Sequence, residues 1–431
     1  MSTTRREVLA AGAAGLAGMS VYGSFAKPAL AAPEKEIAVK PAVIVLYFRG
    51  GQDALNTLVP YTDGHYYDMR PNISIPPPNE ENGCIDLDGT FGLNPSLVGF
   101  KKLWDAGMLA PVVNCGVPSA SRSHFAMQDY MEQGRLRNSP VRSGWLNRFL
   151  TETSPNGPEG EFRALALQSR LPRSLRGAYP ALAVAPSRVG MKKTDKDSDV
   201  LELFDNLYKQ PPSMDRPGMT GERSDEDELT QNGRATIDSL RKLEEILSQK
   251  AAGKEVRYPA TAGRLGQQLK MAARLLKSGQ GVEAIALDWG GWDHHINEGG
   301  REETDTIRRM LAQLGSAVST FFDDIQFMKN KVTMIMMTEF GRTNRENGNF
   351  GTDHGHGGNM FLVGGKVKGG KVYGDWGGLA PGKTFQNRDL MVNTDWRDVF
   401  TEVLYDHLKL HPSKQIFQKW TPSETKLGLF A

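Results

Sequence analysis

Apolar positions along the chain fall into short continuous runs separated by amphipathic stretches. The first run, Ala42-Val43-Ile44-Val45-Leu46-Tyr47-Phe48, is closed by Gly50-Gly51. An unbroken apolar run of this length predicts a strand buried on both faces. Leu109 to Val113, Val282 to Leu287, Val332 to Met337 and Met360 to Val363 read the same way. Between them, residues 96–107, 123–133 and 301–329 read as helices, the second with Ser121 or Ser123 as its N-cap. Thr394 or Asp395 caps a last helix reaching Leu408, and Ile237, Leu240, Leu243 and Leu247 open a set of packing helices over 236–278. Strands alternating with helices predict an α/β fold around a mainly parallel sheet. Residues 188–235 depart from this pattern: they are polar and charge-rich, and read as an insertion or cap over the site.

Composition narrows the class. With 39% apolar and 24% charged residues over 431 positions, the chain can bury one large core or two. A formal net charge of +2 without a basic run excludes a polyanion groove, so no nucleic-acid partner is expected. The N-terminus reads Thr4-Arg5-Arg6-Glu7-Val8-Leu9, then a weakly apolar run from Ala10 to Ala26, Lys27, and Ala29-Leu30-Ala31-Ala32. An arginine pair before a modest apolar stretch and an A-x-A-like site is the layout of a twin-arginine signal peptide over residues 1–32. The translocation machinery is thus an expected partner and the periplasm or exterior the destination, with residues 33–431 as the mature domain. No later stretch has the roughly 18 apolar residues of a membrane span. Cys84 and Cys115 match no zinc spacing; a disulfide and two buried thiols both remain open.

Ligands of open α/β sheets bind beyond the carboxyl ends of the strands. Four segments put polar residues there: Gly50-Gly51-Gln52-Asp53; Ser121-Arg122-Ser123-His124; Trp289-Gly290-Gly291-Trp292-Asp293-His294-His295; and Thr338-Glu339-Phe340-Gly341-Arg342 with its continuation Thr352-Asp353-His354-Gly355-His356. A serine at a helix start sits in a field that favours an oxyanion. Asp293 and His295, two apart, face the same way in extended chain and can share an ion, with His294 pointing elsewhere. Of eight histidines, five (His124, His294, His295, His354, His356) fall in these loops, which favours a metal site over scattered solvated imidazoles.

FRGGQDALNTLVP, GTFGLNPSL, SRSHFAMQDYMEQG, GWLNRFL, GGWDHH, TEFGRTNRENGNFGTDHGHGGNMFLVGG and GGKVYGDW, in that order, resemble the bacterial domain-of-unknown-function 1501 family. That family is regarded as related to alkaline phosphatases and sulfatases. The resemblance implies a three-layer alkaline-phosphatase-like sandwich, a mainly parallel sheet with helices on both faces. It also implies one or two divalent ions, zinc foremost, with calcium, magnesium or manganese as alternatives. By the resemblance Asp53 is a ligand after the first strand, Ser123 (or Ser121) the nucleophile, and Asp293 with His295 a ligand pair. Where the superfamily has Asp-His this chain has Glu339-Phe340; Glu339 can ligate and Phe340 cannot, so Asp353, His354 or His356 is expected to supply what is missing. The sulfatase Cys/Ser-x-Pro-x-Arg signature is absent, since Cys115-Gly116-Val117-Pro118 lacks its spacing.

The expectation is a metal-dependent hydrolase of phosphate or sulfate esters, of small molecules or polysaccharides, in which Ser123 attacks and Arg122 or Arg342 clamps the oxyanion. The alternative is a non-catalytic periplasmic binding or assembly protein that keeps the fold and a structural metal.

Overall fold

The first apolar run forms strand β1 (Ala42–Arg49), buried along all but its last residue. It is seen in a computed structural model that describes residues 39–136, 139–154, 156, 162–185, 238–249, 251–411, 416–418 and 420–431. The expected signal peptide and the polar insertion at 188–235 lie outside the described residues.

Successive side chains of β1 enter opposite cores, as the period of a strand requires. Ala42, Ile44, Leu46 and Phe48 pack with helices α1 (Val98–Asp105), α4 (Gly263–Lys277) and α5 (Thr306–Asp324). Val43, Val45 and Tyr47 pack with α2 (His124–Gln133), α3 (Trp145–Glu152) and α6 (Trp396–Glu402). The result is three layers, helices on each face of one sheet.

The sheet has eight strands: β1, β2 (Leu109–Gly116), β3 (Ala164–Ala166), β4 (Leu182–Ala183), β5 (Ala284–Gly290), β6 (Val332–Thr338), β7 (Gly358–Gly364) and β8 (Thr394–Asp395). Their spatial order is β8-β2-β7-β6-β1-β5-β3-β4. β7 runs antiparallel to β2 and β6, and every other pairing is parallel. A small three-stranded sheet is built from Leu58–Val59, Ile85–Asp86 and Gly92–Leu93.

The fold class and the α/β alternation agree with the sequence reading, and the boundaries shift for local reasons. The helix expected over 301–329 spans 306–324. Asp305 Oδ2 accepts from the Gly300 and Glu302 N–H groups at 2.6 and 2.9 Å, which holds the residues before it in a turn. After Ile325 the chain tightens into a 3₁₀ stretch, Gln326–Lys331. Ser123 occupies the N-cap of α2 without a side-chain cap bond, whereas Asp395 caps α6 by accepting from Arg397 N at 2.9 Å. Cys84 and Cys115 are buried free thiols, so the disulfide alternative does not hold. Among the described residues no helix is long and apolar enough to cross a membrane.

His407, in the π-helical turn after α6, ties the far end of the chain to β1. Its Nε2–H donates to Ala42 O at 2.9 Å and its ring stacks on Phe430. Burial pushes its pKa from 6.5 down to about 4. The unfolded chain therefore takes up a proton below about pH 6.5 that the folded protein refuses until about pH 4. Stability from this group is full above that window and drains as pH falls through it, by up to about 1.4 kcal/mol per pH unit for one proton. His356, also held at about 4 by burial, adds in the same direction. Denaturant unfolding at pH 7 and pH 5 should show the loss, and His407→Asn should make the pH slope shallower.

Candidate metal centre

Four of the sheet's connections end at one edge. β1, β5 and β6 deliver the segments that begin at Gly50, Gly291 and Glu339, and β2 leads into the N-terminus of α2. The loop that follows β6 returns through His354 into the antiparallel β7, so its far end lies at the same edge. Gly50 permits the closest approach: at φ +124 it carries no side chain, and a Cβ there would stand 2.6 Å from Asp293 N.

Four side chains converge at this edge. His124 Nε2 lies 3.0 Å from His354 Nε2 and 3.4 Å from Asp293 Oδ2. His354 Nε2 lies 3.1 Å from Asp293 Oδ1. His295 Nε2 lies 3.0 Å from both His354 Nε2 and Asp293 Oδ1. His124, Asp293 and His354 offer ligand atoms that all lie within 4.8 Å of one another, and His295 abuts two of them.

The other nitrogen of each ring decides what these contacts are. His124 Nδ1 is 2.6 Å from Glu339 Oε1, His295 Nδ1 is 3.0 Å from Asp353 Oδ1, and His354 Nδ1 is 3.0 Å from the Arg122 carbonyl. Ionised carboxylates and carbonyls only accept, so each Nδ1 carries a proton, and each ring when neutral turns an Nε2 lone pair inward. Three lone pairs and a carboxylate oxygen then face one another. Tetrahedral donors at about 2.0–2.1 Å from zinc would stand about 3.3 Å apart, and the observed separations bracket that value. The residues fit a divalent ion held by His124, Asp293 and His354, with His295 Nε2 3.0 Å from two of these donors.

The surroundings hold this set in place. Glu339 is fully buried; its Oε1 also accepts from Gly50 N at 2.9 Å and Gln128 Nε2 at 2.8 Å. Burial opposes its charge, but the His124 and Gln128 hydrogen bonds hold its carboxyl below the usual range. Hydrogen bonding to Glu339 in turn raises the His124 pKa. Burial, with the neighbouring His124, lowers that of His354. The His295 hydrogen bond lowers Asp353. Burial works against an ionised Asp293, and the Arg342 guanidinium, with Nη1 2.7 Å from Oδ1, outweighs it.

The expected residues divide accordingly. Asp293, His295 and His354 meet at the centre. Glu339 and Asp353 reach it only through the histidines they orient. Asp53 stands outside the set: its carboxylate is buried against Arg70 Nη1 at 2.5 Å and accepts from Leu55 N at 2.9 Å. His356 is buried and stacked on Phe385 with ring centroids 4.0 Å apart. His294 turns away as the alternation requires, into a buried position 4.0 Å from Glu298. Arg342 is buried and bonds Asp293, Thr352 and the Gly50 carbonyl, and Arg122 is engaged by Asp389 and Gln386. Ser123 is exposed at the head of α2, directly before His124. His124 is the donor that the sequence reading counted among the loop histidines without assigning it to the metal; its place beside Ser123 at a strand-end helix start was the available signal. Phe340 is buried against His124 and His354, with centroids 4.7 and 5.0 Å away, and forms an apolar wall.

The family model described as "Protein of unknown function (DUF1501)" matches residues 108–413, well over half of the chain. The chain belongs to the DUF1501 family. No curated protein matches this DUF1501 chain significantly. Solved structures similar to it include the PsFucS1 sulfatase from Pseudoalteromonas sp., 11% identical over 91% of this chain and 72% of that one, with a TM-score of 0.40. They also include the C-terminal periplasmic domain of EcEptC from Escherichia coli in complex with Zn (8% identity, 76% and 74% covered, TM-score 0.31) and a mutant of the alkaline phosphatase PafA (12%, 70% and 64%, TM-score 0.28).

If Glu339 orients His124 as the geometry indicates, Glu339→Gln should weaken zinc affinity about 10–100-fold. Competition with a chromophoric chelator measures this, and Asp53→Asn, outside the set, should leave zinc affinity within about threefold of wild type on the same scale.

Proposed function

We propose that this DUF1501 protein is an exported, metal-dependent hydrolase of phosphate or sulfate esters. The observation that carries the reading is the set of three inward Nε2 lone pairs closed by Asp293, each ring fixed from behind. Bound there, a divalent ion would supply Lewis-acid stabilisation of charge on an ester oxygen. Ser123 is the chain's own nucleophile in this reading. It occupies the N-terminal position of the ten-residue α2, its hydroxyl is not used in a cap, and the helix field favours a developing oxyanion beside it. The Ser123 hydroxyl gives its proton to solvent as the Oγ–P or Oγ–S bond forms and the ester bond to the leaving oxygen breaks. The departing alcohol takes up a proton from solvent, and water then releases the anion from the serine. Arg342 positions Asp293 rather than gripping substrate, because its guanidinium is buried and already bonded. The arginine pair Arg5-Arg6 ahead of a weakly apolar run supports export by the twin-arginine route to the periplasm or beyond.

One observation favours a second reading, a non-catalytic protein with a structural metal: both candidate arginines are engaged by internal partners. Turnover separates the two. Zinc-loaded protein should hydrolyse aryl phosphate or sulfate esters, and Ser123→Ala should lower kcat at least about 100-fold with zinc content unchanged. Full zinc content without hydrolysis of either ester class would establish the structural reading.

A further inference from the structure

Behind His354 a ring of contacts closes through Asp389. The His354 Nδ1–H donates to the Arg122 carbonyl at 3.0 Å, and the His354 carbonyl accepts from Arg388 Nη1 at 2.9 Å. The side chains of these two arginines meet on one carboxylate. Asp389 Oδ2 accepts from Arg122 Nε at 3.0 Å, and Asp389 Oδ1 accepts from Arg388 Nη1 at 2.9 Å. Asp389 is fully buried, while the Arg122 and Arg388 side chains are 28% and 41% exposed. A buried carboxylate persists only where cations and donors compensate it, so the two arginines are bound to Asp389 and not merely near it.

Asp389 is itself fixed by backbone. Its N–H donates to Phe385 O at 3.0 Å and its carbonyl accepts from Phe385 N at 2.8 Å, closing a short turn. The same turn offers Gln386 Oε1 to Arg122 Nη2 at 2.9 Å and sets the Phe385 ring 5.9 Å from the Arg122 guanidinium. The segment that Arg122 belongs to bonds locally: the Ser119, Ser121 and Ser123 N–H groups donate to Val117 O, Ser119 Oγ and Ser121 Oγ. From outside, His356 hydrogen-bonds the Ser119 backbone, and Arg122 is the tie next to Ser123. The segment then runs into His124 at the head of α2.

We infer that Asp389 is a positioning residue for the metal centre: it holds Arg122 and Arg388, and through them the carbonyl that takes the His354 proton and the segment that presents Ser123. The inference rests on the metal centre of the proposed function and needs no hydrolysis. Glu339 and Asp353 orient their histidines directly, whereas Asp389 orients His354 at one remove. Arg122, expected to clamp an oxyanion, is in this reading part of the frame.

Zinc affinity, measured by chelator competition on the full chain, reads this without turnover. Asp389→Asn and Arg122→Met should each weaken zinc binding about tenfold, the effect of losing a partner behind a ligating histidine. The double variant should bind zinc no more weakly than Asp389→Asn alone, because both changes cut one connection. Asp389→Asn combined with Glu339→Gln, which acts on a different ring, should multiply the losses. Asp389→Glu, which restores the charge, should recover most of the affinity. With cobalt in place of zinc, Asp389→Asn should alter the visible d–d absorption, which follows the donor set and not overall stability. An unfolding midpoint in chelator equal to that of wild type checks the fold. Arg122→Met keeps the backbone carbonyl and the Asp389–Arg388 pair, so it carries the test should Asp389→Asn fail to fold. Zinc affinity within about threefold of wild type in Arg122→Met, or losses that multiply in the Asp389–Arg122 double variant, would overturn the inference and leave the centre standing. Wild-type protein that binds no zinc would overturn both.

Discussion

Imidazole nitrogens and carboxylate oxygens that stand 3.0–3.4 Å from their neighbours repel one another, when unprotonated, unless positive charge stands between them. The rest of the edge works to impose that arrangement. Glu339, Asp353 and the Arg122 carbonyl each take a proton-bearing Nδ1, so no ring can relieve the repulsion by flipping without losing its own hydrogen bond. Arg342 does the same for Asp293, anchored in turn by Thr352 and the Gly50 carbonyl. The donors come from three separate stretches of chain, and no local preference holds them together. The sheet does. Parallel strands β1, β5 and β6 lie side by side in register, so the loops that leave them start level with one another.

That alignment follows from how β1 is buried. Both of its faces are apolar, so each side needs a helical layer, and the parallel neighbours come from crossovers through those layers. The polar positions displaced from the strands collect where strands end. Chemistry at the edge and hydrophobicity within the sheet are therefore two results of one sequence pattern.

Much of this was legible beforehand. β1, β2, β6 and β7 appear as plain apolar runs because strands buried on two faces leave no room for polar interruption. The convergence of Asp293, His295 and His354 was legible too, since an alternation of two puts Asp293 and His295 on one side and His294 on the other. What spacing could not show is which partner stands behind each ring. Glu339 and Asp353 have the chemistry of ligands, and only the geometry shows that they take the Nδ1 protons. Asp53 has the right place after β1, but Arg70, seventeen positions on and unremarkable in the sequence, meets it in the interior. His356 repeats the two-residue spacing of His354, yet it stacks on Phe385 instead. His124 was counted among the loop histidines but not named as a ligand, because the serine beside it fills the place of the superfamily's nucleophile.

The charged groups around the centre carry one further consequence. Asp293, Glu339 and Asp353 are all held below the ordinary carboxylate range, and Arg342 keeps its positive charge, so this partly buried neighbourhood has a formal excess of two negative charges. Sodium or potassium would leave it underneutralised, and a trivalent ion would overshoot. A divalent ion bound there would balance that excess, and donors rich in nitrogen would suit it less if it were calcium or magnesium, which seek oxygen.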